Sequence, residues 1–498
     1  CSATAATTVN VSASGTATAE PNAGTLSGTQ AVCSSGSTTF SSNGDAGGAF
    51  TSGTTGVATV NSSTGVISPQ AAGTSTITYT VSGSGGCSDA TATRTVNVTN
   101  TFLTTGSNSN WSNTACWGGG VVPPTSGDVT ISHDITVDAS TTVSALTVNS
   151  SSGTSLILNA DLSVSNDLTL NDYTKLVSGN LTVAGDLTIS DHLEIYGGQY
   201  LYMSNTSKTL TNNGRFTVRS GSDNLGRVII MGTTDDNGGD DNLFQRYING
   251  LGDAGTSTGW DLIGVPTSDT SINTFVATND DIAENGSGTS ILYGVGFYDP
   301  VDNDWETYGG SATENNITSS GNFTVGKGYQ MATQSGSAVE FNGTLNNGDQ
   351  TTPIRNYDLD DDNDMSDGSR FNLVANPYLS FIYANDNTDS TNNLITANSS
   401  VLHANGQALY FWDGDEYITV NHSTTSTYQY VAPFRGFMVM AKTTGSNTNF
   451  SFTRAMQTVN GSNDAIGDVM DDNTAELFIG ISQQGIERNT EIYFSENA

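Results

Sequence analysis

Within residues 127–220 the string Asp161-Leu162-Ser163-Val164-Ser165-Asn166-Asp167-Leu168-Thr169-Leu170 recurs as Asn180-Leu181-Thr182-Val183-Ala184-Gly185-Asp186-Leu187-Thr188-Ile189, 19 residues later. Each copy holds two four-residue strands with alternate apolar residues, separated by a polar turn, and an Asn or Asp precedes each leucine. Ala145-Leu146-Thr147-Val148 and His192-Leu193-Glu194-Ile195 continue the pattern on either side. Strands this short cannot bury their leucines alone, but at a fixed period of about 20 residues each coil can stack its Leu and Val on those of the next. The spacing predicts a right-handed parallel β-helix over 127–232, with Leu162 stacked over Leu181 and Leu168 over Leu187. An antiparallel meander would show the same alternation without so regular a period.

Two longer repeats flank it. Cys1-Ser2-Ala3-Thr4-Ala5-Ala6-Thr7-Thr8-Val9-Asn10-Val11 matches the segment from Cys87 to Val98, 86 residues on with one residue inserted, a period that suits an immunoglobulin-like sandwich. Residues 1–12 then read as the closing strand of a preceding repeat, and 13–100 as a complete one. The third repeat, at an offset of 111, aligns Gly259-Trp260-Asp261-Leu262-Ile263 with Arg370-Phe371-Asn372-Leu373-Val374. In the same order, Phe297-Tyr298-Asp299 aligns with Phe411-Trp412-Asp413, and Lys327-Gly328-Tyr329 with Arg435-Gly436-Phe437. The expected fold class is therefore all-β: an immunoglobulin-like sandwich, a linker or solenoid cap over 101–126, the parallel β-helix, and two β-sandwich modules in series over 233–352 and 353–458. Residues 459–498 would start a further, incomplete β module.

Charge narrows the partners. Of 498 residues, 49 are acidic and 14 basic, for a net charge of −35, so nucleic acid and anionic membranes are repelled. Only 13% of residues are charged, and solubility rests mostly on Gly, Ser, Thr and Asn. No apolar run approaches the ~18 residues of a transmembrane segment. This is the composition expected of a mature, β-rich polypeptide outside the cell. There, Cys33 and Cys87, which bracket one repeat, are expected to form a disulfide, with Cys1 pairing upstream and Cys116 a buried thiol between two tryptophans.

Catalytic patterns are sparse. His133, His192, His403 and His422 are scattered without paired metal-ligand spacing, and His133 and His192 fall at turns. Gly255-Thr256-Ser257-Thr258-Gly259 has the form G-x-S-x-G, but a strand rather than a helix follows it. Parallel β-helices can host polysaccharide-cleaving sites, which need paired acids and a base in a groove. The solenoid carries Asp161, Asp167, Asp172, Asp186, Asp191 and Glu194, with Lys175 and Lys208. Most of these acids stand at turns, where a carboxylate accepts backbone N–H bonds.

A cation site is the stronger candidate. The segment from Asp358 to Gly368 places aspartates at 358, 360, 361, 362, 364 and 367. Converging carboxylates of this kind suit Ca²⁺, with Asp358, Asp360, Asp362, Asp364 and Asp367 as the expected ligands, although the Gly of a D-x-D-x-D-G loop is misplaced. The Asp235–Asp241 cluster and the Asp299–Asp304 loop are weaker candidates. Trp305, Tyr308, Trp412, Tyr417, Tyr428 and Tyr430 offer rings for stacking on sugars, although placement beside strands also suits core packing.

Three groups of residues carry a family resemblance. They are Trp111 to Trp117 followed by Pro123-Pro124 and Asp128-Val129-Thr130-Ile131; Arg246-Tyr247-Ile248 leading to Trp260-Asp261-Leu262-Ile263-Gly264-Val265-Pro266; and Ile492-Tyr493-Phe494. They resemble segments of large secreted proteins of Bacteroidota exported by type IX secretion, a family that includes gliding-motility adhesins. The resemblance implies a bacterial cell-surface or released fibre and supplies no catalytic residues. The sequence reading is accordingly a non-catalytic stalk or fibre segment serving adhesion or filament formation. Surface glycans or other copies of the chain are its expected partners. Two alternatives are a glycan-binding or polysaccharide-degrading β-helix protein and a self-polymerising subunit using strand donation.

Overall fold

The structure, a computed structural model, describes residues 20–461 apart from short intervening segments, the longest being 150–155, 252–258 and 359–367. It also describes the backbone of 474–483 and 486–495. The chain divides into two compact units, Cys1–Phe216 with Gly232–Gly238, and Thr217–Met231 with Gly239–Ala498. Residues 1–12, read above as a closing strand, lie outside the described residues.

The first unit opens with the expected sandwich. One sheet orders the strands Ala31–Cys33, Ala90–Thr99, Gly73–Val81 and Ala49–Ser52, and a smaller one orders Thr38–Thr39, Val66–Pro69 and Ala58–Val60. Alternation along Gly73–Val81 buries Ser75, Ile77, Tyr79 and Val81 and turns the threonines between them outward. The inward residues meet Phe40, Phe50, Ile67, Val96 and Val98 in one core. The register does not bring the two cysteines together. Cys33 pairs with Thr99 at one end of Ala90–Thr99, whereas Cys87 lies in the turn before Ala90, at the other end. A disulfide needs Cα atoms about 4.4–6.8 Å apart, and a ten-residue strand separates these positions by far more. The Cys33 side chain and Cys1 lie outside the described residues.

The repeated segment is a parallel β-solenoid of about five turns. One face stacks Asp128–Ile131, Leu146–Val148, Leu168–Leu170, Leu187–Ile189, Thr209–Asn212 and Thr233–Asp236, all parallel. A second stacks Ile135–Val137, Leu156–Leu158, Thr174–Leu176 and His192–Ile195. A third stacks Thr141–Val143, Leu162–Val164, Leu181–Val183 and Tyr200–Met203. Leu162 pairs with Leu181 and Leu168 with Leu187, as the spacing predicts. Each coil thus carries three strands, not two, and most are three residues long. The third strand, for example Thr174-Lys175-Leu176, lacks the Leu-x-Val signature that reveals the other two.

The acids at the turns form ladders between coils. Asp161 Oδ1 accepts the N–H of Asn180, and Asn180 Oδ1 that of Tyr200. On the neighbouring corner, Asp167 Oδ1 accepts the N–H of Asp186, and Asp186 Oδ1 that of Thr209. Corner backbones approach so closely that a Cβ on Gly185 would lie 2.2 Å from the carbonyl carbon of Asn166. Before the first coils, Trp111 and Trp117 pack edge to face at 4.8 Å, both buried. The Trp117 indole donates to the Trp111 carbonyl, and the buried Cys116 thiol donates to Asn110.

The second unit holds two lobes built alike. In the first, Asp261–Ile263 pairs with Tyr329–Met331, setting Ile263 opposite Tyr329. In the second, Phe371–Ala375 pairs with Gly436–Met440, setting Val374 opposite Phe437. The 111-residue repeat is therefore a repeat of pairing register. Each lobe also carries a short helix, Ile272–Thr278 capped by the Ser271 side chain and Leu394–Asn398 capped by that of Asn393. The two lobes, successive along the chain, also pack on one another: Leu262 and Tyr298 share a core with Leu373 and Met438. Backbone bridges also join Ile263 to Arg435 and Lys327 to Val374. Among the described residues, no helix is long and apolar enough to cross a membrane.

Candidate aromatic binding cleft

Two equivalent hairpins of the second unit carry cross-strand aromatic pairs near their turns. Leu292–Asp299 pairs with Asp304–Gly309, placing Tyr298 opposite Trp305, and Ala408–Trp412 pairs with Tyr417–Asn421, placing Trp412 opposite Tyr417. Directly opposed residues on one sheet face lie close enough for rings to meet. The centroids are 5.3 Å apart in the first pair and 5.1 Å in the second. The first turn is fixed locally: Tyr298 Oη donates to Asn303 Oδ1 at 2.6 Å, Asp299 Oδ1 accepts the N–H of Val301, and Asn303 takes a left-handed φ of 53°. Asn tolerates that conformation better than most residues.

These pairs border two cavities. One, of about 290 Å³, is lined by Tyr298, Asn303, Trp305, Phe371, Tyr410, Tyr417 and Met438. The other, of about 230 Å³, is lined by Trp260, Leu262, Trp305, Gln330, Trp412 and Tyr417. Trp305 and Tyr417 serve both. The cavities draw on positions related by the repeat: Phe371 occupies the place of Trp260, and Met438 faces Leu373 as Gln330 faces Leu262. Where the copies differ, Met438 against Gln330, one cavity gains an apolar wall and the other an amide.

The described lining residues carry no formal charge. Burial pushes the Tyr298 and Tyr410 hydroxyls up. Desolvation, with the neighbouring Tyr298 adding to it, raises that of Tyr417 to about 12. Tyr417 is 43% exposed, so only the direction matters: its hydroxyl stays protonated near neutrality. Neither cavity has a carboxylate or imidazole among its described lining residues. Half-open aromatic faces with a few amides and hydroxyls can stack against a flat, partly apolar ligand and fix its orientation with hydrogen bonds.

Of the sequence-nominated rings, Trp305, Trp412 and Tyr417 reach this cleft. Tyr308 is buried against Phe297, Tyr430 pairs with Tyr383, and Tyr428 lies outside the described residues. Trp260, Tyr298, Phe371 and Tyr410 were not nominated. The first three stand in the aligned blocks of the 111-residue repeat, the signal that points to them.

Of the five nominated calcium ligands, the structure describes Asp358. Asp358 is buried and accepts hydrogen bonds from Nε, at 3.1 Å, and Nη2 of Arg370, so its charge is engaged inside the fold. Asp360, Asp362, Asp364 and Asp367 lie outside the described residues. Asp236 accepts from the Asn212 amide, and Asp299 shapes its own turn. Among the described residues no group of three or more His, Cys, Asp or Glu is placed to hold a metal ion.

On the solenoid, His192 stacks on Tyr173 at 4.6 Å, Lys175 lies over the same ring, and the Tyr173 hydroxyl donates to buried Glu194. These side chains form a ladder along one wall. His133 contacts Thr104, and His422 pairs with Asp386. Ser257 of the G-x-S-x-G string lies outside the described residues.

A domain family described as of unknown function, DUF8693, matches residues 300–473. The matched stretch includes Trp305, Phe371, Tyr410, Trp412, Tyr417 and Met438 of the cleft. No curated protein and no solved structure matches the chain.

Proposed function

We propose that this chain is a non-catalytic adhesion segment of an extracellular bacterial surface protein, and that its second unit holds a glycan in the aromatic cleft. The observation that carries the reading is the position of Trp305 and Tyr417 in the lining of both cavities. A pyranose ring presents a face of C–H bonds and an edge of hydroxyls. Aromatic faces satisfy the first and the Asn303 and Gln330 amides the second. The solenoid supports a stalk role, since coils stacked in series extend a chain in one direction. The resemblance to Bacteroidota surface proteins supports the location.

The test is binding of the chain to an array of neutral and acidic oligosaccharides, with retained glycans assayed for new reducing ends. Retention that Trp305→Ala abolishes, with the glycan intact, is the expected result. Retention unaffected by Trp305→Ala, or cleavage of the bound glycan, would overturn the reading.

A further inference from the structure

A third cavity, of about 280 Å³, opens beside the cleft in the same unit, with Tyr298 common to its lining and to that of the 290 Å³ aromatic cavity. Its chemistry differs. Lys327 and Arg355 both line it, together with the polar groups of Thr324, Tyr357, Asn372 and Asn447. The Lys327 ammonium rests 4.8 Å from the centroid of Phe297 and 5.4 Å from that of Tyr329. The Arg355 guanidinium lies 4.6 Å from that of Tyr357. Neither cation makes an ion pair with a described residue, and Arg355 Nε is buried without a hydrogen-bond partner among them.

In a chain with 49 acidic and 14 basic residues, two cations lining one cavity make a local concentration of positive charge. Among the described residues aromatic rings, not carboxylates, contact the two cations, which leaves their charge available to an incoming anion. Desolvation holds Lys327 below its ordinary pKa while Asp299 opposes the shift, so the ammonium is short of solvent. An anionic group arriving there would restore what burial removed.

We infer that the ligand of the cleft is an acidic glycan, one sugar ring stacking in the aromatic cavity and the carboxylate or sulfate of the same or the next residue entering the Lys327–Arg355 cavity. This rests on the cleft being a glycan site, and it names the class of glycan. It also accounts for how so acidic a chain could bind a polyanion: the attraction is local and short-ranged, while the overall field repels anions that lack a ring to stack.

The experiment titrates the full chain with oligouronates from pectin and alginate, with the same oligomers after reduction of their carboxyl groups to neutral sugars, and with sulfated galactan oligomers. The expected result is at least tenfold tighter binding of a uronate than of its reduced form, or of the sulfated oligomer than of desulfated galactan; which pair shows it identifies the anion. Lys327→Met and Arg355→Gln, each checked for an unchanged melting temperature, should erase that preference and leave neutral binding intact, and Trp305→Ala should remove both. Lys327→Met keeps the aliphatic stem between the Phe297 and Tyr329 rings, so it separates charge from packing. Equal binding of acidic and neutral oligomers, or a preference that survives both substitutions, overturns this inference and leaves the cleft standing. Binding of none of the probes removes the glycan reading itself.

Discussion

Arg370 donates through Nε and Nη2 to one carboxylate oxygen of Asp358, and both side chains are buried, at 6% and 0% exposure. The two residues flank 359–367 in the sequence. Removing one partner leaves an uncompensated buried charge, which typically costs about 3–5 kcal/mol. Arg370→Met should therefore lower the melting temperature markedly, by the same amount in calcium and in EDTA. Equal stability of Arg370→Met and wild type would show that the pair contributes nothing. A separate EDTA effect on the wild-type melt would show a bound divalent cation, and its loss on replacing Asp360 and Asp362 with Asn would place it at those aspartates.

Leu187 sits in register between Leu168 and Leu210 on one solenoid face, fully buried. Truncating it removes contacts to two coils, and a Leu→Ala change in a packed core costs about 2–5 kcal/mol. Because each coil depends on its neighbours, Leu187→Ala should raise amide exchange in the strands above and below as well as its own. Exchange confined to Leu187–Ile189 would argue against coupled coils.

Asp186 links stability to pH. The N–H of Thr209, then Lys208 Nζ at 3.0 Å, hold its carboxyl below the ordinary value of 3.8. A carboxyl with a depressed folded pKa contributes stability above its unfolded pKa and loses it as pH falls through the folded one. Wild type should lose this contribution below about pH 4, and Asp186→Asn should melt lower than wild type at pH 7 with a shallower acid dependence. Parallel pH–melting curves for the two proteins would contradict the ladder.

Trp305 and Trp412 should differ in effect. Trp305 lines both aromatic cavities, whereas Trp412 lines only the smaller. Trp305→Ala should abolish glycan retention, and Trp412→Ala should weaken it about tenfold, the scale of a single lost anchor. Equal losses would mean that one cavity carries all of the binding.

Cys33 and Cys87 stand at opposite ends of Ala90–Thr99 by register. A peptide map under non-reducing conditions should show no peptide joining them, and finding one would require a different strand register in the sandwich.

The solenoid was legible in the sequence because its stabilising interaction is periodic. A leucine every coil must find the leucine of the next, so spacing alone gives Leu162 over Leu181 and Leu168 over Leu187, and an acid before a strand is placed to accept the N–H of the next coil. The lobes were legible as a 111-residue repeat for the same reason: repeated sequence gives repeated pairing register. What the repeat could not tell is that its two copies share a core through Leu262, Tyr298, Leu373 and Met438. Packing between copies leaves no period in either one. The cleft follows from that packing, since Trp305 from one hairpin and Tyr417 from the other are over 100 residues apart and become neighbours only when the lobes close. Spacing likewise suggested that Cys33 belonged with Cys87. The fold set the two cysteines at opposite ends of a strand, because strand register, not proximity along the chain, determines which side chains meet.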